Sequence, residues 1–289
     1  GLNVTLKALL NPGEEVIMFA PYFVEYLSYI ENADGRPVIV KTRKDSFQID
    51  ADAVEKAITN RTKAILLNSP NNPTGVIYSG KSLEQLRTVI ESKESELGIH
   101  IFVVSDEPYV RLVYDGAEVP DILSMFDKSI VVNSFSKSLA LPGERIGYIA
   151  VNSHIEDAGS LIAVMVGLNR TLGFVNAPSL FQKVVADNLD VSVDTGSYQK
   201  KRDLLYDHLT KLGFQCVKPQ GAFYLFMKTP VEDDVLFCKS AAKYNLLIVP
   251  GSGFGCPGYV RIAYCTDINM IENSLEAFTK LAHEYGLQE

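Results

Sequence analysis

The sequence has 289 residues, of which 47% are hydrophobic and 21% are charged, as in an ordinary soluble globular protein large enough to bury its own core. Its 27 Lys and Arg against 35 Asp and Glu give a net charge of −8. This balance argues against a nucleic acid or an anionic membrane as the main partner. The longest apolar run, at residues 161–168, is too short to cross a bilayer.

The chain opens on a helical pattern, with Leu2, Leu6 and Leu9 on one face and a stop signal at residues 11–13, Asn-Pro-Gly. No basic segment followed by an apolar stretch precedes it, so the pattern does not indicate a signal peptide. Because the chain begins in the middle of an element and without Met, we expect it to lack the N-terminal part of a longer protein.

Short apolar runs alternate with amphipathic segments through the first two thirds of the chain. The runs predict strands at residues 15–20, 36–42, 63–69, 100–107, 129–134 and 145–151, and helical patterns lie at 51–59 and 80–96. This alternation predicts an α/β fold whose sheet is mostly parallel.

The pattern changes after about residue 152, where helical periodicity takes over. A long helix is predicted at residues 195–213, followed by short strands within FQCVKP, AFYLFMK, LLIVPG and YVRIAYC and a terminal helix at 270–286. We therefore expect two domains: a large domain over residues 1–190 and a smaller α+β domain over 191–289.

All four cysteines fall in the last third of the chain, without CxxC spacing or clustered histidines. This arrangement predicts neither a metal site nor a redox pair. Free thiols are typical of a reducing compartment, so we expect a cytoplasmic protein.

Polar residues follow three of the predicted strands: Asn72 within NSPNNPTG, Asp106 and Tyr109 within SDEPY, and residues 134–137 within SFSK. In an open α/β sheet, ligands bind beyond the carboxyl ends of the strands. Each motif alone also fits a structural role, because a turn aspartate, a polar loop and a solvated surface lysine are all common. Their joint placement at strand ends favours one site.

SFSKSLALPGER combines a lysine that can form a Schiff base with the neutral donors Ser134 and Ser136. Arg145 adds a guanidinium that can bind a phosphate through two parallel hydrogen bonds. The same motif also fits a surface loop with solvated charges.

Taken together, NNPTG, DEPY, SFSK and GER make the chain resemble the fold type I pyridoxal-phosphate-dependent aminotransferases of class I/II, the family of aspartate aminotransferase. The resemblance runs from residue 1 to residue 289 and includes APYFVEY, GAFYLF, VPGSGFG and YVRIAYC. It implies a large pyridoxal-phosphate domain, a smaller C-terminal domain, an amino acid and a 2-oxo acid as substrates, and a homodimer.

The resemblance also implies roles for the residues around the cofactor ring. Lys137 would hold the cofactor as an internal aldimine and then act as the base. Asp106 would pair with the pyridine nitrogen, while Asn72 and Tyr109 would bind the phenolic oxygen. Phe23 would stack on the ring, although a core phenylalanine also fits its pattern.

The remaining implied roles concern the phosphate, the substrate and the pocket wall. Ser134, Ser136 and Arg145 would bind the phosphate. Arg261 would bind the substrate α-carboxylate together with Asn72, because an arginine in an apolar strand otherwise needs a buried partner. Tyr22 and Tyr26 flank the stacking position and are candidates for lining the pocket.

Members of the family carry an additional N-terminal segment that this sequence lacks. The resemblance implies that the segment supplies part of the small domain, part of the phosphate site and a residue lent across the dimer. We therefore expect the 289-residue chain to bind cofactor weakly and to have little transaminase activity.

Three functions fit these motifs. The first is an aminotransferase, with aspartate favoured as amino donor. The second is a pyridoxal-phosphate-dependent C–S β-lyase, which would release pyruvate and ammonia without a 2-oxo acid acceptor. The third is the effector domain of an aminotransferase-like transcription regulator.

Overall fold

A computed structural model describes residues 1–287 of the chain. Its strands are β1 Glu15–Ala20, β2 Arg36–Lys41, β3 Thr62–Asn68, β4 Phe102–Asp106, β5 Ser129–Ser134, β6 Gly147–Val151, β7 Gln215–Cys216, β8 Tyr224–Lys228, β9 Val249–Pro250 and β10 Tyr259–Ala263. Its helices are α1 Leu2–Leu9, α2 Glu25–Asn32, α3 Ala51–Ala57, α4 Gly80–Leu97, α5 Ile122–Met125, α6 Phe135–Ser138, α7 Ala158–Thr171, α8 Ser179–Ala186, α9 Thr195–Lys211, α10 Asp234–Ala242 and α11 Ile268–Glu284.

The first six strands form one sheet in the order β2-β1-β3-β4-β5-β6. β1 to β5 are parallel, and β6 pairs with β5 in the antiparallel sense. The predicted α/β fold with a mostly parallel sheet is confirmed. Residues 135–146, which include α6, connect β5 to this antiparallel edge strand.

Side chains alternate between the two faces of this sheet. Ile17 and Phe19 belong to a core covered by α3, α4 and α5, whereas Val16 and Met18 point into a core covered by α1, α2 and α7. β1 is buried along its whole length, as expected for a strand with helices on both faces. The sheet is therefore rigid where its strands end, which is where the candidate site lies.

The second sheet is antiparallel, in the order β7-β8-β10-β9. The helices α9, α10 and α11 bury their apolar sides in the core beside it. The strand positions predicted here are correct, but β7 and β9 each have only two residues. α10 interrupts the region between β8 and β9, where Asp233 caps the helix by accepting from the backbone N–H of Leu236 at 2.8 Å.

Several contacts join the second sheet and its helices to the first part of the chain. The fully buried guanidinium of Arg202 in α9 donates to both carboxylate oxygens of Asp115, at 2.8 and 3.1 Å. Val113 and Gly221 form an isolated antiparallel bridge. A hydrogen bond from Tyr114 Oη to the Ala222 carbonyl oxygen lies beside them. These contacts place β8 and β10 against the loop that follows β4.

Among the described residues, no helix is both long enough and apolar enough to cross a membrane.

Candidate active site

The site lies where three neighbouring parallel strands end. Asn68 ends β3, Asp106 ends β4 and Ser134 ends β5. Asn68 lies opposite Asp106 in the register, and its side-chain amide donates to the Asp106 carbonyl oxygen at 2.9 Å. The strand ends that carry the predicted motifs are therefore adjacent, as the topology requires.

Asp106 is the central acid of this edge. Tyr26 Oη donates to Asp106 Oδ2 at 2.6 Å. Burial raises the pKa of the Asp106 carboxyl to about 6, while the hydrogen bond from Tyr26 opposes that rise. Burial thus favours the protonated form of this carboxyl, and a cation placed against it would stabilise the charged form.

Asn72 is held in the loop that follows β3. Its backbone N–H donates to Asn68 Oδ1 at 2.8 Å, and its side chain is 4% exposed. Gly75, at φ +70°, closes the loop, and a Cβ there would lie 2.6 Å from Pro219 Cβ and 2.9 Å from the Gly221 carbonyl oxygen. Glycine is therefore required for the close approach of this loop to the second sheet.

Arg261 in β10 reaches the site from the second sheet. Its Nη1 donates to Asn72 Oδ1 at 3.0 Å. The guanidinium carbon lies 4.5 Å from the ring centroid of Tyr224 and 4.8 Å from that of Phe254. Within residues 1–287, buried Arg261 Nε has no hydrogen-bond partner. A guanidinium fixed between two rings with one donor left over is suited to a carboxylate that binds there.

Tyr109 and Tyr224 form a hydroxyl pair beside this arginine. Their Oη atoms are 3.2 Å apart, and both side chains are buried. Burial raises the pKa of both phenols, and the pKa of Tyr109 is raised further by the neighbouring Tyr224. Both tyrosines are consequently neutral at physiological pH and can donate hydrogen bonds.

Lys137 follows β5 in the short helix α6 and is half-buried. Its Nζ lies 5.3 Å from the ring centroid of Phe223, and that ring meets the ring of Tyr109 edge-on at 5.4 Å. Across the described part of the chain, no carboxylate forms an ion pair with Lys137. The structure thus places this amine over the ring of Phe223, which in turn packs against Tyr109, and no ion pair among the described residues occupies it.

The three residues expected to bind phosphate lie together at the end of β5. Ser134 and Ser136 are half-buried, and Ser134 pairs with Gly147 across the sheet. The Phe135 N–H donates to the Ile146 carbonyl oxygen at 3.1 Å, which brings the adjacent Arg145 beside this segment. Arg145 is exposed, and its Nη1 donates only to the Pro142 carbonyl oxygen within the described residues, at 2.9 Å.

Phe23 lies just before α2. Its half-buried ring packs edge-on against Tyr26 with 5.5 Å between centroids. Since Tyr26 binds Asp106, Phe23 borders the same pocket. Tyr22, the other flanking aromatic residue, is buried, lines a small cavity together with Tyr26 and Asn68, and donates its backbone N–H to the Phe254 carbonyl oxygen at 3.1 Å.

Tyr26 and Tyr224 are the site residues whose contacts the sequence motifs do not reveal. Tyr26 appears in the sequence only as a candidate for the pocket wall, and Tyr224 only as part of the motif GAFYLF. Helical spacing to Phe23 gives no signal for Tyr26, because Phe23 lies outside α2. No local pattern identifies Tyr224 as the partner of Tyr109, because 115 residues separate them.

The residues at this edge fit pyridoxal phosphate. Asp106 would supply a carboxylate for the pyridine nitrogen, Tyr109 and Asn72 would supply polar groups for the phenolic oxygen, and Lys137 would supply an amine for the aldehyde. The buried Arg261 Nε that lacks a partner lies at the same place and fits the substrate carboxylate. The donor set therefore matches both the cofactor and an amino acid.

Comparisons with known proteins identify the family of the chain. The family model for aminotransferase class I and II matches residues 1–278. The aspartate aminotransferase of Thermotoga maritima is 34% identical over 273 residues, which cover 93% of this chain and 69% of that protein. The asparagine–oxo-acid transaminase of Streptococcus mutans is also 34% identical, over 96% of this chain and 73% of that protein.

Solved structures give the same result. An amino transferase from Eubacterium rectale superposes with a TM-score of 0.96 at 44% identity, covering 99% of this chain and 72% of that chain. The aspartate aminotransferase of Thermus thermophilus with maleate gives a TM-score of 0.83 at 31% identity, covering 97% and 73%. The chain belongs to aminotransferase class I and II and is a transaminase of a family that uses pyridoxal 5′-phosphate, with an amino acid and a 2-oxo acid as substrates.

Proposed function

We propose that the protein transfers the amino group of L-aspartate to a 2-oxo acid, with Lys137 as the covalent attachment point of the cofactor. The arrangement of Arg261 is the single observation that carries the proposal. It is fixed by Asn72 and two aromatic rings, and it keeps one buried donor without a partner. The names of relatives such as the Thermotoga maritima aspartate aminotransferase support aspartate as the donor.

Bound pyridoxal phosphate supplies an electron-withdrawing ring that makes the Cα proton of an amino acid acidic. Lys137 Nζ carries that proton as a general base, because this amine has no competing carboxylate among the described residues. Asp106 would hold the protonated ring nitrogen. Tyr109 and Asn72 would donate to the phenolic oxygen, and Phe23 would cover one face of the ring.

Substrate orientation comes from Arg261 and Asn72. Arg261 binds the α-carboxylate, and Tyr224 and Phe254 keep its guanidinium from turning away. Ser134, Ser136 and Arg145 bind the phosphate; Arg145 is free to do so because its only hydrogen bond among residues 1–287 is to a neighbouring carbonyl oxygen. The two anions are thus held by different arginines at opposite ends of the site.

Two further proposals concern organisation. We assign residues 1–190 to a large cofactor domain and 191–289 to a smaller domain, supported by the separate sheets at 15–151 and 215–263. The four free thiols support a cytoplasmic location.

We also propose that a second copy of the chain covers an apolar surface, termed here the α7–α8 surface. It consists of exposed large apolar side chains on β6, α7, α8 and the segments next to these helices: Tyr148, Ile162, Val164, Val166, Leu172, Phe174, Val175, Leu180, Val184, Leu189 and Val191. So many exposed large apolar side chains within one part of the chain are typical of a surface that another protein covers. A homodimer with closed symmetry uses the same surface on both copies.

The test is a single-turnover amino transfer. The chain is loaded with pyridoxal phosphate, mixed with L-aspartate and no acceptor, and followed by the visible spectrum of the cofactor and by the oxo acid released. We expect conversion to the amine form of the cofactor with stoichiometric oxaloacetate, and reversal when 2-oxoglutarate is added. Faster conversion by L-alanine or L-phenylalanine would overturn aspartate as the donor. Pyruvate and ammonia from a cysteine conjugate, without amino transfer, would overturn the proposed reaction.

A further inference from the structure

Tyr26 and Asp106 form a short hydrogen bond between two side chains that are distant in the sequence. Tyr26 Oη lies 2.6 Å from Asp106 Oδ2, although 80 residues separate them along the chain. The ring of Tyr26 is 2% exposed and lies in the core formed by α1, α2 and the sheet. Its hydroxyl is therefore fixed in place and points at one oxygen of the acid.

Asp106 has few other groups that favour its charged form. Its backbone carbonyl is held by Asn68, and its carboxylate forms no ion pair with a side chain of residues 1–287. The titratable side chains that interact with it are Tyr26 and Tyr29 in α2, the adjacent Glu107, and Tyr109 after β4. Tyr26 is the one side-chain donor in this set.

We propose that Tyr26 is a positioning residue, whose hydroxyl orients the Asp106 carboxylate and keeps it ionised so that the proton shared with the cofactor stays on the ring nitrogen. This inference rests on the proposed role of Asp106 as the partner of that nitrogen. The chemistry is a competition for one proton. A carboxylate that accepts a hydrogen bond is a weaker base, so it takes the proton from the ring nitrogen less readily.

The alternative is that Tyr26 only fills space in the core. Tyr26→Phe separates the two roles, because it keeps the ring and removes the hydroxyl. Tyr285→Phe is the matched control: it removes one tyrosine hydrogen bond, to Ser240 Oγ at 3.0 Å, far from the site in the C-terminal part of the chain.

The first measurement is the pKa of Asp106 in the cofactor-free chain, followed by carboxyl ¹³C NMR of aspartate-labelled protein and assigned with Asp106→Asn. Starting from about 6 in the parent, we expect Tyr26→Phe to raise this pKa by about 1, because a hydrogen bond to the charged form is lost. Tyr285→Phe leaves it unchanged. An unchanged pKa in a folded Tyr26→Phe chain would overturn the inference.

A graded variant keeps the test decisive if Tyr26→Phe does not fold. Replacing Tyr26 by 3-fluorotyrosine keeps the hydrogen bond and makes the phenol a stronger donor. We expect the pKa of Asp106 to fall below the parent value in that chain. A residue that only fills space would leave the pKa where it was.

The second measurement uses pyridoxal phosphate labelled with ¹⁵N in the ring. We expect the ring-nitrogen signal of the parent at the protonated position, and that of Tyr26→Phe displaced toward the unprotonated position. If Asp106→Asn displaces the signal and Tyr26→Phe does not, the role of Tyr26 is wrong and that of Asp106 stands. If Asp106→Asn leaves the signal unchanged, the proposed role of Asp106 fails, and the inference about Tyr26 fails with it.

Discussion

Arg261 donates a hydrogen bond to Asn72 across 189 residues of sequence, and this contact joins the two sheets at the candidate active site. Asn72 follows a strand of the parallel sheet, and Arg261 lies within a strand of the antiparallel one. Because the same guanidinium keeps a buried donor without a partner among the described residues, the contact leaves room for a ligand carboxylate. Substrate binding thus depends on how the two parts of the chain meet.

Arg261→Lys tests this arrangement. Lysine keeps the charge but loses the planar set of donors, so it cannot bind Asn72 and a carboxylate in the same geometry. We expect the apparent Kd for L-aspartate in the single-turnover reaction to rise by about 30-fold or more, corresponding to about 2 kcal/mol or more. The cofactor spectrum before mixing stays unchanged. Arg87→Lys, in an exposed part of α4, is the control, and an equal effect of both changes would contradict the role of Arg261.

Tyr224 makes one contact through its hydroxyl and another through its ring, and different mutations remove them separately. Tyr224→Phe removes the hydroxyl that meets Tyr109 and keeps the ring against Arg261, whereas Tyr224→Leu removes both. We expect Tyr224→Phe to slow amino transfer about fivefold with little change in the Kd for aspartate, since one hydrogen bond contributes about 1 kcal/mol. Tyr224→Leu raises that Kd as well. The same Kd for both variants would show that the ring does not position Arg261.

Burial of Asp106 makes a prediction about stability and pH. Its pKa rises from 3.8 toward about 6 on folding, so the ionised carboxyl destabilises the folded, cofactor-free chain. This cost is fully present above about pH 6 and disappears below about pH 4, where folded and unfolded chains are both protonated. Asp106→Asn therefore stabilises the chain at pH 8, by a free energy on the order of 2 kcal/mol.

Urea unfolding at pH 8 and pH 4 measures this effect, with the exposed Asp207→Asn as the control. The gain in the urea midpoint from Asp106→Asn should shrink as the pH falls. A gain that is the same at both pH values would mean that the charge of Asp106 is not its source. The comparison of variants is needed because burial also raises the pKa of Glu107, to about 7.

The α7–α8 surface predicts self-association. Leu180 is 67% exposed there, and a glutamate in its place would bury an unpaired charge in a dimer. We expect Leu180→Glu to raise the monomer–dimer Kd by about 100-fold or more, measured by sedimentation velocity, because burying such a charge costs several kcal/mol. Met270→Glu, at an equally exposed site outside the surface, leaves it unchanged. A parent chain that is monomeric at 100 times the concentration used for the variants would contradict the dimer.

The sequence was sufficient for the first sheet because its strands are continuous apolar runs that end at turn signals. Once β3, β4 and β5 were known to be parallel, the rule for strand ends placed Asn72, Asp106 and Lys137 in one region. The extent of β7 and β9 was not predictable in the same way, because their apolar residues serve the core without extending the hydrogen-bonded ladder.

The sequence does not predict which side chains pair when they are far apart along the chain. The donor for Asp106 lies in α2 and the partner of Tyr109 lies in β8, and neither pairing leaves a local pattern. The same holds for Arg202, whose burial against Asp115 is decided only when α9 packs on the loop after β4. Tertiary packing decides these pairings, because the local sequence does not distinguish the actual partner from other polar residues.

The most direct test of the account is to locate the covalent bond to the cofactor. The chain is incubated with pyridoxal phosphate, reduced with borohydride and digested, and the modified peptide is identified by mass spectrometry, with Lys137→Ala and the ion-paired Lys128→Ala in parallel. We predict a pyridoxyl group on Lys137 in the parent and in Lys128→Ala, and none in Lys137→Ala. Modification of another lysine to the same extent, or an adduct that survives in Lys137→Ala, would contradict the assignment of Lys137.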